Sequence, residues 1–213
     1  MEKVKERPIL FSTEMVKAIL ENRKSMTRRV VKPQPPEGLR VACIEEDGTH
    51  HKEWLYAEDN GDPVDSLIHC PYGQVGDRLW VRESHCVLCH PDFQIVYKAD
   101  NQQFTGNYKW KSGRFMFKKY ARLWLEITNI RVERLQEITE ADAKAEGSEF
   151  WWLGKDGEKI ISDTAAEYSS DNVPQNKRNY IKGFSILWDS ISGKTSQWSS
   201  NPWVWIIEFK KVL

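Results

Sequence analysis

The sequence predicts an α+β fold built on a curved or closed sheet. Strand-like segments outnumber helical ones and follow no regular strand–helix–strand alternation. The longest strand signal, residues 122–135, changes parity part-way, as a bulge that bends a sheet does. The last segment, Trp203-Val204-Trp205-Ile206-Ile207-Glu208-Phe209-Lys210, carries apolar residues on both faces, which predicts a central strand.

Taken in order, residues 8–11 read as a short entry strand. Ser12 then caps a helix to about Asn22, with Phe11 and Val16 as its hydrophobic staple. Met15 with Ile19, and Val16 with Leu20, supply its buried stripe. Arg23-Lys24-Ser25-Met26-Thr27-Arg28-Arg29 follows, then Val30, Val31 and Lys32, and Pro33, Pro35 and Pro36 break regular structure. Residues 40–46 and 50–57 predict a hairpin around Glu46-Asp47-Gly48, and Asn60-Gly61-Asp62-Pro63 a turn. Arg78 to Glu83 alternates as a half-buried strand, and Phe93–Lys98 and Arg114–Phe117 are weaker strands. In 122–135, Leu123, Leu125 and Ile127 share a face that Ile130 and Val132 leave, placing the bulge near Thr128-Asn129. Thr139 caps a short helix that Gly147 stops after Glu146. Residues 148–175 read as an excursion or flap. Lys177 to Ile191 is the clearest helix, with Tyr180, Phe184, Leu187, Trp188 and Ile191 on one face and Gly193 ending it.

Composition excludes several function classes. Thirty-one basic residues balance 31 acidic ones, so any nucleic-acid footprint must come from local clustering. No apolar run approaches the roughly 20 residues of a membrane-spanning helix. The first residues hold no apolar secretory core, so a cytoplasmic protein with no membrane partner is expected. Phosphate-loop, dinucleotide and His-Glu-x-x-His motifs are missing, so no cofactor is expected. Four cysteines in such a chain should be thiols. Cys86 and Cys89 have zinc-ligand spacing, and Cys70 with a histidine could complete four ligands. With no second Cys-x-x-Cys pair, unliganded thiols and no metal are the default expectation.

Lys109, Lys111, Arg114, Lys118, Lys119 and Arg122 fall in a stretch without an acid, interleaved with Trp110, Phe115, Phe117 and Tyr120. Positive charge tracks phosphates and aromatic faces stack bases, so single-stranded nucleic acid or RNA suits this composition. A β-hairpin with one apolar and one Lys/Arg face fits the same residues.

Three motifs carry a likeness to a family. Asn22-Arg23-Lys24-Ser25-Met26-Thr27-Arg28-Arg29 follows the first helix, Gly76-Asp77 precedes a strand, and Ile138-Thr139-Glu140-Ala141-Asp142-Ala143-Lys144-Ala145-Glu146-Gly147 follows the long strand. With the terminal strand, this order resembles the ASCH domain, a branch of the PUA-like β-barrel superfamily, and in particular its long prophage-borne members. The family signature is Gly-Arg-Lys-Thr-x-Thr-x-Arg. Asn22 replaces its Gly and Ser25 its first Thr, while Lys24, Thr27 and Arg29 match. The resemblance implies a single PUA-like domain over 1–213, with insertions at 33–70, 84–121 and 148–175. It also implies a nucleobase or RNA ligand. Small ASCH members include amidohydrolases that deacetylate N(4)-acetylcytidine with a Lys, a Thr and a Glu. Those positions correspond here to Lys24, Thr27 and Glu146, with Arg23, Ser25, Arg28 and Arg29 alongside to bind substrate.

The chemistry is coherent in its own terms. A Thr hydroxyl needs a neighbour to take its proton. A Lys can do so when burial or nearby cations, here Arg23, Arg28 and Arg29, depress its pKa. Glu146 ends a predicted helix, where the macrodipole disfavours negative charge and suits the carboxyl to carrying a proton. The alternatives are a solvated basic turn at 23–29, a non-catalytic reader of RNA or modified DNA, a ribonuclease, or an accessory protein acting through protein contacts.

Overall fold

The computed structural model describes residues 4–45, 52–58, 60–88, 93–100, 109–148, 151–153, 159–161, 179–192 and 196–212. It is a mixed α+β structure with three α-helices among the described residues. A five-stranded sheet organises it, formed by β1 (Glu6–Leu10), β2 (Met26–Val30), β6 (Arg78–Arg82), β9 (Trp124–Arg134) and β12 (Trp203–Val212). Their spatial order is β1-β6-β9-β12-β2; β1 runs parallel to β6 and every other pair is antiparallel. The outermost strands approach each other, because Arg29 of β2 donates from Nη2 to the Leu10 carbonyl at 2.7 Å. One side chain thus links the two edge strands of the sheet.

The alternation read in the last segment is visible in the packing of β12. Trp205 and Ile207 enter a core with Ile9, Leu79, Leu125 and Ile127, beneath Val16 and Ile19 of α1 (Thr13–Leu20). Val204 and Ile206 enter a second core with Met26, Leu135, Ala143, Phe184 and Trp188, beneath α2 (Glu140–Ala145) and α3 (Tyr180–Ser192). Asn129 pairs with Glu208 and Ile127 with Phe209, so Thr128 is the extra residue of a bulge where the parity change placed it.

The helix ends follow local chemistry. Ser12 Oγ accepts from Met15 N and Thr139 Oγ1 from Asp142 N. Asn22 closes α1 at φ +58°, a left-handed conformation Asn tolerates. Gly147 closes α2 at φ +76°, and a Cβ there would come within 3.0 Å of Ala18 Cβ and Lys24 Cβ.

The remaining segments stand outside the main sheet. β3 (Leu39–Glu45), β4 (Lys52–Glu58) and β5 (Pro63–Ile68) form their own antiparallel sheet, and Trp54 of β4 packs edge-on against Trp205 at 5.4 Å. β7 (His85–Leu88) and β8 (Gln94–Tyr97) form a hairpin, as do β10 (Trp151–Leu153) and β11 (Lys159–Ile161). Most of 148–175, the flap expectation, lies outside the described residues, as do Cys89 and Gly193. Two segments differ from expectation. The strand expected at Arg114–Phe117 is replaced by two 3-10 turns, Gly113–Phe115 and Lys118–Tyr120. The cause is close approach: a Cβ on Gly113 would lie 2.9 Å from the backbone N and C of Glu83. The stretch after Arg23, alternatively a basic turn, is instead the edge strand β2. No helix among the described residues is long and apolar enough to cross a membrane.

Candidate functional site

A cleft of about 360 Å³ runs along the free edge of β2. Thr27, Arg28 and Arg29 line it from the strand, Glu146 from the end of α2, and Phe184, Leu187, Trp188 and Ile191 from α3. Met15, Val30, Lys32, Pro71, Tyr72, Ser192 and Ser196 complete the lining. The β2 and α2 residues are therefore mostly polar and include two cations, while α3 contributes mainly apolar and aromatic side chains. A flat heterocycle with polar substituents matches that division.

Local folding explains the convergence. Ser25 N donates to Ala145 O at 2.9 Å, and Ser25 O accepts from Phe209 N at 2.8 Å. The chain entering β2 is thus held between β12 and the end of α2, and Lys24 meets Glu146 in an isolated antiparallel bridge. These residues are 122 positions apart in the chain.

Lys24 Nζ donates to Glu146 Oε2 at 2.7 Å and to the Glu146 carbonyl at 2.8 Å. Side-chain exposure is 0% for Lys24 and 2% for Glu146, so water screens the pair little. Burial pushes the Lys24 ammonium pKa down. Glu146 raises it through charge and hydrogen bonding, and Arg29 and Arg28 lower it. The lowering by Arg28 and Arg29 is the effect expected of those cations; burial is the larger cause. Lys24 also lies 5.7 Å from the centre of the Phe11 ring. It is not on the cleft wall. Its two hydrogen bonds hold Glu146, which is on the wall.

Arg28 holds the other carboxylate oxygen, donating from Nη1 to Glu146 Oε1 at 3.3 Å. Its Nη2 binds Asp142 Oδ2 at 2.8 Å, and Asp142 also accepts from Arg131 Nη2 at 2.8 Å. Arg131 is fixed in turn by Glu133 at 2.6 Å and by Glu208. Arg131 keeps its charge more firmly than usual: partial burial opposes this, but Glu133, Asp142 and Glu208 outweigh it. Arg29 lies over Phe11 at 5.2 Å. The Nε–H groups of Arg28 and Arg29 are buried without a partner among the described residues. An orphaned buried donor costs about 1–3 kcal/mol. Thr27 is buried at the cleft wall, and its hydroxyl makes no hydrogen bond to another described residue.

The structure therefore brings together Thr27, Arg28, Arg29 and Glu146, with Lys24 behind them. It does not bring in Arg23, an exposed residue paired with Glu21, nor Ser25, which contributes backbone bonds only. The solvated-turn alternative for this stretch is overturned for Lys24 and Arg28, both buried. Sequence reasoning missed Phe11, Asp142, Arg131 and the α3 wall as parts of the site. Only Asp142 had a local signal, its i,i+4 spacing from Glu146 on one helix face.

Lys109, Lys111, Arg114, Lys118 and Lys119 lie elsewhere, around the two 3-10 turns. Arg122 does not belong with them. It donates to both Glu83 oxygens, at 2.9 and 3.0 Å, and to Asp100 at 2.6 Å. Cys70 and Cys86 are free thiols, and no cluster among the described residues could hold a metal ion. No family model, curated protein or solved structure matches this chain.

Proposed function

We propose that the chain is an ASCH-type, PUA-like protein. On this reading the β2-edge cleft takes a nucleobase or nucleoside and hydrolyses the exocyclic amide of an acylated pyrimidine nucleoside such as N(4)-acetylcytidine. The observation that carries the reading is the buried Lys24–Glu146 pair beside Thr27. These are the three side chains that the motif resemblance singled out, and nothing local in the sequence requires them to meet. Asn22 adds support. It stands where the family has Gly and adopts φ +58°, the conformation for which Gly is favoured. The segments 33–70 and 84–121, read as insertions, contribute no strand to the five-stranded sheet.

In this reading the pyrimidine ring lies against Phe184, Leu187 and Trp188, and its acyl group faces β2. Water, or the Thr27 hydroxyl in a first step that water completes, adds to the acyl carbon. Glu146 takes the proton. The Arg28 and Arg29 guanidinium groups along the β2 wall supply positive charge toward the developing oxyanion. The C–N bond then breaks, the exocyclic nitrogen leaves as the amine with the proton from Glu146, and acetate is released. Lys24 keeps Glu146 in place and supplies positive charge behind it.

The test is incubation with a panel of acylated and unmodified nucleosides, read by mass spectrometry. The reading expects the acetylated pyrimidine nucleoside to lose its acetyl group and unmodified nucleosides to be untouched. Saturable binding without product would instead favour a non-catalytic reader.

A further inference from the structure

We propose that the substrate base is presented within single-stranded RNA, gripped by a second surface beside the cleft, around residues 109–120. This rests on the reading of the cleft as a nucleobase site. The aromatic side chains there are displayed outward. Met116 is buried and its Sδ accepts from Glu83 N at 3.3 Å, while its neighbours Phe115 and Phe117 are 69% and 67% exposed. Two large apolar rings held outward on either side of an anchor form a stacking platform. Phe117 is braced edge-on by Tyr120 at 6.1 Å, and Tyr120 is itself fixed by the Tyr97 hydroxyl donating to its carbonyl at 2.9 Å. A platform already held in place loses little freedom when a base stacks on it.

Charge completes the match. Lys109, Lys111 and Arg114 make no ion pair with any described carboxylate, whereas Lys118 pairs with Glu6 at 2.5 Å. Free cations interleaved with exposed aromatic faces bind phosphates and stack bases of any sequence. Trp110, Lys111, Arg114, Phe115 and Phe117 border one hollow of about 750 Å³.

The link to the cleft is a single residue. The Leu10 carbonyl accepts from Arg29 Nη2 on the cleft wall. On the other side, Leu10 Cδ1 lies 2.9 Å from where a Gly113 Cβ would stand, at the start of the platform turn. Arg82, paired with Leu10 in the sheet, donates to the Gly113 carbonyl at 3.1 Å. Cleft and platform are therefore contiguous around the end of β1. A strand stacked on Phe115 and Phe117 would pass Leu10 to bring a further base to the cleft.

The test is fluorescence anisotropy with a fluorescein-labelled single-stranded RNA decamer and the full chain. Phe115→Ala/Phe117→Ala should raise Kd by at least about 5-fold, the lower end of the worth of one base–aromatic stack. Lys111→Gln/Arg114→Gln should flatten the plot of log K against log salt by about 1.4, two phosphate contacts' worth. The substituted side chains are exposed, so the melting temperature should not move. Acetylcytidine within the decamer should be turned over more slowly by the Phe variant, with free acetylcytidine unaffected. An unchanged Kd in the Phe variant, no binding by the wild-type chain, or equal affinity for duplex RNA would overturn the proposal. If the wild-type chain makes no product from either substrate, the hydrolase reading fails, and the anisotropy data still decide this one.

Discussion

Lys24→Met is the most informative single perturbation of the site. The native ammonium makes two hydrogen bonds to Glu146, at 2.7 and 2.8 Å, and both side chains are almost wholly buried. Removing it leaves a buried carboxylate with only Arg28 at 3.3 Å. Breaking a buried pair by deleting one partner costs about 3–5 kcal/mol. A domain of this size loses roughly 2–4 °C per kcal/mol, so the melting temperature should fall by about 6–20 °C. Lys24→Met/Glu146→Met, which removes both charges, should recover much of that loss. Differential scanning calorimetry on the two single variants and the double variant measures the coupling. The reasoning is refuted if Lys24→Met melts within about 2 °C of wild type, or if the two substitutions add without coupling.

The same lysine predicts a pH dependence. Its folded pKa lies below the ordinary 10.5, so between the two values the unfolded chain binds more protons. The stability of wild type relative to Lys24→Met should therefore rise with pH toward 10.5 in urea titrations; a difference that shrinks would mean that pairing outweighs burial. Thr27→Val removes a hydroxyl that bonds no other described residue, so chemical denaturation should show stability unchanged or slightly raised. Gly113→Ala forces a Cβ to within 2.9 Å of the Glu83 backbone and should lower the melting temperature by several degrees, where an exposed glycine would tolerate alanine. Burial pushes the Cys70 thiol pKa up to about 11, so alkylation followed by mass spectrometry should find it slow at pH 8 and faster with each unit toward 11, while exposed Cys43 reacts first.

Part of this architecture was legible because its signals are local. Ser12 and Thr139 announce their helices through hydrogen bonds that span three residues. The β9 bulge shows as a change of parity, and β12 as a strand apolar on both faces, because side-chain alternation follows directly from strand geometry. β2 was not legible. Lys24, Arg28 and Arg29 read equally well as a solvated basic turn, and Arg28 is buried among partners that include Asp142 and Glu146, more than 100 residues away. The main-sheet pairing that makes β2 a strand is with β12, at the far end of the chain. β5 was hidden by Asp65-Ser66 in its middle, and the 3-10 turns at 113–120 by an approach to Glu83 that no spacing encodes. For the site, the motif brought forward Lys24, Thr27 and Glu146. The apolar wall of α3 was read as core, because a face that packs and a face that borders a cleft have the same periodicity.

The cleft reading is tested most directly by timing acetate release from N(4)-acetylcytidine for wild type, Thr27→Val and Glu146→Gln, each with its fold checked by circular dichroism. Steady release by wild type, with a fall of 100-fold or more in both variants, in line with the 10²–10⁴-fold typical of a lost proton-transfer group, is the predicted result. Wild-type release that either folded variant matches would contradict the assignment of these side chains to the chemistry.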